Sequence, residues 1–534
     1  MGWLRDILLV EALEPTRDLL GSTVILVLAI CSLTYMVTRI SWELQTQRSS
    51  PLIPKLPPTI PYAIPFLGNL PSIAINPQRF MWALNTPNPY AFRLFTSKWF
   101  VLQGSQNIAA FWKKDPQMIG LTAQIFCLKY LFGMPSSALQ MYVADNSGFN
   151  ENPAPQSTVS AHDRIDYHTH ASLLSFTSGK HFPGFYNRWF KSFSARLQSL
   201  HNLKECIDLP DLLVLFERDF GLAVVEATCG TILERLNPNL AQDLAFYARC
   251  TPPLSKGLPR RFAPDAYSIR DKLLENIKEW HRIAKGSFKP SDVEADGDRD
   301  PFWGSEFIRS RQKMFKGFSG FDANAAAASD LGFIWALTFN IVPTMMWVVL
   351  EIHKDSMLRS RIRAELKASG LLRQLQSNDV KKILSLPRLQ AHTDRVAWNT
   401  GINNSYPVDK FWAERFLFYA NDPDSGPIVK SSIIQAGSLS EAQDELQKHG
   451  NQGPIFSDKS TVGYYLPYGG GARICPGRHF AKRAIMTAAA MMTGIVDIEI
   501  LASEKEMEMD SRAYGLGVQR PVGRIVCKIR RWQG

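Results

Sequence analysis

Cys475 is the residue around which chemistry is most densely arranged. It lies in Tyr465-Leu466-Pro467-Tyr468-Gly469-Gly470-Gly471-Ala472-Arg473-Ile474-Cys475-Pro476-Gly477-Arg478. An aromatic residue stands seven before it, glycines six and four before, an arginine two before and a glycine two after. Each position has a task if Cys475 binds haem iron as a thiolate. Gly469 and Gly471 let a tight turn pass a flat ring where a Cβ would collide. Arg473 offers a planar fork of donors suited to a haem propionate. Gly477 removes bulk where a helix begins, and the N-terminus of that helix favours an ionised sulfur. A thiolate ligand pushes electron density to the iron and favours O–O cleavage. Elsewhere a lone cysteine is most often a small buried hydrophobe, and three glycines can form an ordinary loop or a phosphate cradle. The conjunction of all these positions favours the haem-ligand reading.

Two helical patterns must position this loop. Beyond Cys475, Phe480, Ala484, Ala488 and Met491/Met492 form an apolar stripe at helical spacing, with Arg478, Lys482 and Arg483 on the other side. Those cations suit either an acidic partner protein or a plain solvated face. Upstream, Ala323–Lys354 is apolar on nearly all sides, so it is expected to be buried in a large core or a membrane. Thr338, Asn340 and Pro343 interrupt it, and a proline inside a helix opens the backbone ladder. Asn340 can donate and accept hydrogen bonds but does not readily supply a proton. It is open to two readings, an orienting group for a bound oxygen species or water, and a core asparagine satisfied at a kink.

The 534 residues, 45% hydrophobic and 11% aromatic, suffice for a large core. Seven dispersed cysteines without a CxxC pair argue against a disulfide framework and against a zinc site. The net charge of +11 is spread along the chain, and no nucleic-acid module is recognisable, so a membrane surface or acidic protein is the better partner. Residues 19–38 carry no charge and are long enough to span about 30 Å of hydrocarbon as a helix. An acidic flank before them disfavours a signal peptide, and Arg39, Arg48 and Lys55 after them place the body on the cytosolic side. The expected order is a tail (1–18), a transmembrane anchor (19–40), a proline-rich hinge (41–71) and a body (72–534). In the body, 91–95 and 100–103 are strand-like, 211–229 and 240–248 are helical, and 285–305 is an exposed loop.

These segments together resemble the cytochrome P450 family. The cysteine loop carries the resemblance best, with Tyr468 where phenylalanine is usual. In the central helix the family places an acid and a threonine. Here Phe339-Asn340 and then Pro343 resemble the branch of sterol 7α- and 12α-hydroxylases, prostacyclin synthase and related fungal enzymes. The resemblance implies a mainly α single domain with a small β region, the cytochrome P450 fold, held by one N-terminal transmembrane helix. It implies haem b ligated by Cys475, with Arg473, Tyr468, Gly469, Gly471 and Gly477 around it, and Asn340 and Thr338 as catalytic residues. It places 165–180 near the haem, where His168 or His170 either meets a propionate or lies on the surface. It also implies electrons from NADPH through a separate reductase, the endoplasmic reticulum membrane with the catalytic domain cytosolic, and hydroxylation of a lipophilic terpenoid, steroid or polyketide of secondary metabolism. A haem-thiolate isomerase that rearranges a peroxide, and a haem-free inactive or misspliced protein, remain open.

The last alternative has a specific ground. The family carries Glu-x-x-Arg between the central helix and the cysteine loop, and no such tetrad follows residue 351 here. The partner arginine's motif is present in Phe411-Trp412-Ala413-Glu414-Arg415-Phe416. Leu386-Pro387-Arg388-Leu389-Gln390 runs directly into Ala391-His392-Thr393-Asp394, so the expectation is a seam at 390–391 where several dozen family residues are absent.

Overall fold

The computed structural model describes residues 2–47, 56–82, 88–102, 105–114, 121–370, 412, 414–419, 422, 425–427, 454–456 and 466–533. The seam at 390–391, Phe411, Ala413 and Tyr465 lie outside the described residues. The chain forms two compact units, Met1–Phe111 and Trp112–Gly534.

In the first unit a helix runs over Gly2–Gln47, longer than the apolar span alone. From Gly21 most of its apolar side chains are exposed, while Trp42 packs against the small core of this unit. Thr34 and Thr38 each donate their hydroxyl to the carbonyl four residues back, so neither puts an unmet polar group on that surface. The proline-rich stretch is not the free spacer its composition suggests. Ile60 N–H donates to the Ala91 carbonyl and Ala91 N–H to the Pro58 carbonyl, both at 2.8 Å. Prolines lack the donor but keep the acceptor, so an edge pairing of this kind suits them. Strand Tyr90–Leu94 then pairs antiparallel with Ser97–Val101, with Tyr90 opposite Val101. Ile60, Tyr90 and Phe92 make a small core of their own.

The second unit is mainly helical around one large core. Its three-stranded sheet is antiparallel, with Cys527–Arg531 between Ile207–Leu209 and Val496–Ile500, and Leu417–Phe418 pairs separately with Ile455–Phe456. Helix Leu240–Arg249 falls where the periodicity puts it, Ile165–Ser178 lies where the resemblance expects a helix, and Phe182–His201 is a further helix that follows it. The 211–229 pattern is helical too, but carries a π-helical turn at Phe216–Phe220 between Leu212–Leu215 and Gly221–Cys229. The 285–305 loop departs from expectation. Asp298 and Asp300 are buried, because Arg188 and Arg309 from neighbouring helices meet their carboxylates.

The apolar 323–354 segment lies in this protein core. It is two helices, Ala323–Phe339 and Ile341–Lys354, with Asn340 at the junction. The restart places Pro343 in a first turn, where its missing N–H costs nothing. Asp330 anchors the upstream half. It is fully buried and accepts from Arg311 Nε (3.0 Å), His281 Nε2 (3.0 Å) and Gln312 Nε2 (2.8 Å). Three helices are thereby joined, Pro264–Ser287, Glu306–Gly317 and the central one. All seven cysteines are free, which agrees with the absence of a disulfide framework.

Candidate functional site

The helix Arg478–Ile495 supports the cysteine loop. Its stripe is wider than the sequence suggests, since Ala484, Met486, Ala488, Ala490 and Met492 are all fully buried. Packed that firmly, the helix holds its N-terminal approach in place. Cys475, three residues before it, is exposed. The Cys475 N–H donates to the Tyr468 carbonyl (2.9 Å), closing the glycine turn on itself. Arg478 Nη1 donates to the Cys475 carbonyl (3.0 Å). The ring of Tyr468 packs against the main core.

The glycines divide their work differently from expectation. Gly469 and Gly471 have φ of +72° and +64°, so their requirement is conformational. The close approach belongs to Gly470, where a Cβ would run into the Trp112 indole. At Gly477 an added Cβ would stand 3.7 Å from Cys475 Sγ, an ordinary contact.

Arg473 spends its fork on a carboxylate of this chain. Its Nη2 donates to Asp166 Oδ2 (2.7 Å), and its guanidinium lies 4.1 Å from the centre of the Phe149 ring. Its Nε is buried with no hydrogen-bond partner among the described residues. Asp166 opens helix Ile165–Ser178, and its own N–H donates to Asp145 Oδ2 (3.0 Å). The two histidines of that helix separate. His168 Nε2 is 2.9 Å from the Ala161 carbonyl on an exposed face. His170 is half-buried with its ring 5.1 Å from that of Phe149. Burial first, and then the Arg473 charge, hold its pKa below that of an ordinary imidazole. His170 therefore belongs with Arg473, and His168 does not.

This donor set fits a haem. An exposed thiol stands at the entry to a helix, and an arginine already bound to one carboxylate keeps a buried N–H unused. Cys475 would hold the iron and Arg473 a propionate.

The central helix supplies Thr338 and Asn340. Thr338 donates its hydroxyl to the Ile334 carbonyl (3.0 Å), within its own helix. Asn340 Oδ1 accepts the Val518 N–H (3.0 Å). Sequence reasoning missed Asp166, Phe149, Trp112 and Val518. Each joins the site across a long stretch of chain, and none belongs to a local pattern.

No protein-family model matches the chain. Among curated proteins it is 27% identical to the cytochrome P450 monooxygenase fsoE of Humicola fuscoatra, covering 96% of each chain. It is 26% identical to the cytochrome P450 monooxygenase efuG of Hormonema carpetanum, over 95% of this chain and 96% of that one. To cytochrome P450 7A1 of Rattus norvegicus it is 24% identical, over 60% of this chain and 63% of that one. The Humicola alignment extends over 584 positions against 534 residues here, so at least 50 of them face no residue of this chain. Over nearly its whole length the chain is thus similar to two fungal cytochrome P450 monooxygenases, and over 60% of it to cytochrome P450 7A1.

Proposed function

We propose that this protein is a haem-thiolate monooxygenase that hydroxylates a lipophilic small molecule, a terpenoid, steroid or polyketide of secondary metabolism. The observation that carries it is the exposed Cys475 thiol at the entry to a buried helix, with Arg473 beside it. Bound haem b supplies the oxygen chemistry. Cys475 holds the iron, Arg473 with His170 faces the propionates, and Tyr468, Gly469, Gly471 and Gly477 shape the loop. Thr338 and Asn340 are the polar groups at the central helix break, where they orient water or substrate. A separate NADPH-dependent reductase supplies electrons, docking on the face of Arg478, Lys482 and Arg483. The helix Gly2–Gln47 anchors the chain in the endoplasmic reticulum membrane as a single span with the body cytosolic.

The test is the reduced, carbon-monoxide difference spectrum of the full chain in membranes. A thiolate-type Soret band that Cys475→Ser abolishes supports the proposal. A protein that accumulates without any such band refutes it for this chain. A second reading, a haem-free product of a misspliced transcript, is favoured by two observations. The alignment leaves at least 50 positions facing no residue here, and no Glu-x-x-Arg follows residue 351.

A further inference from the structure

The loop 514–520 lies against the break in the central helix and is gripped by three consecutive residues. Val518 N–H donates to Asn340 Oδ1 at 3.0 Å. The Gln519 carbonyl accepts from Trp347 Nε1 at 2.8 Å. Arg520 pairs with the buried Glu217 of the π-helical turn, and its guanidinium is 5.9 Å from the centre of the Phe339 ring. Asn340 and Trp347 are seven residues apart, two turns along one face of a helix. They therefore take hold of adjacent backbone groups of the loop from one side. Gly517 permits the approach. Its φ is +138°, and a Cβ there would strike Asn340 Oδ1.

The contact also settles the orientation of the amide. A backbone N–H can be met only by the oxygen of Asn340, so Oδ1 faces the loop. Nδ2 donates to no described residue, and it is not among the buried polar atoms left without a partner. We infer that Asn340 is a positioning residue which clasps the loop 514–519 over the helix break through Oδ1. The importance of the clasp for catalysis rests on the monooxygenase proposal, but its existence does not.

Hydrogen exchange of the full chain in detergent, read at the Val518 amide, tests it. Asn340→Leu, which removes the acceptor, speeds that exchange about two- to tenfold, as loss of one neutral hydrogen bond should. Asn340→Asp keeps an acceptor and restores the wild-type rate, a rescue that a mere packing role would not give. Gly517→Ala pushes the loop off Asn340, speeding Val518 exchange while the amides of Ile341–Lys354 stay protected. That variant decides the matter if Asn340→Leu does not accumulate. Unchanged Val518 exchange in Asn340→Leu or Gly517→Ala, or Asn340→Asp as fast as Asn340→Leu, overturns the clasp. The readout involves neither haem nor substrate, so a failed carbon-monoxide spectrum and a failed exchange test are separate results.

Discussion

Asp330→Ala removes the carboxylate at the centre of the most buried charge cluster. Asp330 is 0% exposed and Arg311 2% exposed, so neither can turn to water when its partner goes. Removing one member of a buried pair costs about 3–5 kcal/mol, chiefly through the charge left behind. Arg311 keeps some company. It donates to the Ser329 carbonyl at 3.3 Å and lies 4.8 Å from the Phe315 ring centre, which favours the lower end, about 3 kcal/mol. Asp330→Asn keeps the shape and one acceptor oxygen, and should lose about 1–3 kcal/mol. The double change Asp330→Leu with Arg311→Met removes both charges and should recover part of that loss, the remainder coming from the His281 and Gln312 groups left without their acceptor. Urea midpoints of the detergent-solubilised chain measure all three. A cost below about 1 kcal/mol for Asp330→Ala, or a double variant as damaged as the single one, refutes the role of the stranded Arg311 charge. The pH dependence has a definite sign. Burial alone would push the Asp330 carboxyl up, but the Arg311 charge and the His281 hydrogen bond outweigh it and hold it below its ordinary 3.8. Its stabilisation is therefore complete above that pH and is lost as pH falls below it.

Three further outcomes are expected. Cys475→Ser, at an exposed position, should leave the urea midpoint within about 0.5 kcal/mol of wild type while abolishing the thiolate-type haem band. An equal loss of stability would mark the thiol as structural. Arg473→Leu strands the buried Asp166 carboxylate, and should cost about 1.5–3 kcal/mol in the haem-free protein, where no cofactor can be blamed. His353 is buried, with its ring nitrogens 2.9 and 3.2 Å from the carbonyls of Val349 and Val496. Burial pulls its pKa from 6.5 to about 4, against the opposing pull of those carbonyls. Stability from the neutral ring is thus present above pH 6.5 and falls by up to about 3 kcal/mol towards pH 4. His353→Leu should flatten that limb, and a stability that rises on acidification would mean the two carbonyls outweigh burial.

The sequence announces parts of this molecule whose chemistry is local. A cysteine loop needs particular residue types at adjacent positions, so Tyr468 to Gly477 can be picked out without coordinates. Pro343 announces the central break because a proline fits without loss only in the first turn of a helix and elsewhere kinks it. What stays hidden is polar contact between distant stretches. Arg473 meets Asp166 across 307 residues, and Asn340 meets Val518 across 178. Neither partner belongs to a periodic pattern, so no window of sequence contains the signal. The 285–305 loop misleads for the same reason. Its Asp and Gly content reads as solvated, yet Asp298 and Asp300 are buried because Arg188 and Arg309 come from elsewhere to meet them.

The expected seam at Gln390–Ala391 makes a prediction about the transcript. An alignment covering 96% of both chains but leaving at least 50 positions without a residue here requires one or more internal gaps. Arg415, in the motif that follows the seam, is buried, and burial pushes its guanidinium down to about 10, which leaves it charged at neutral pH. A cation kept at such a place must be met by polar groups around it. Sequencing complementary DNA across codons 386–394 decides between the two origins. An insert of several dozen residues carrying Glu-x-x-Arg would make this chain a shortened form, and the longer product should then bind haem better and unfold at higher urea. An uninterrupted junction would mean that the protein is made without that tetrad. In that case the carbon-monoxide spectrum of the 534-residue chain measures whether a haem site can be built without it.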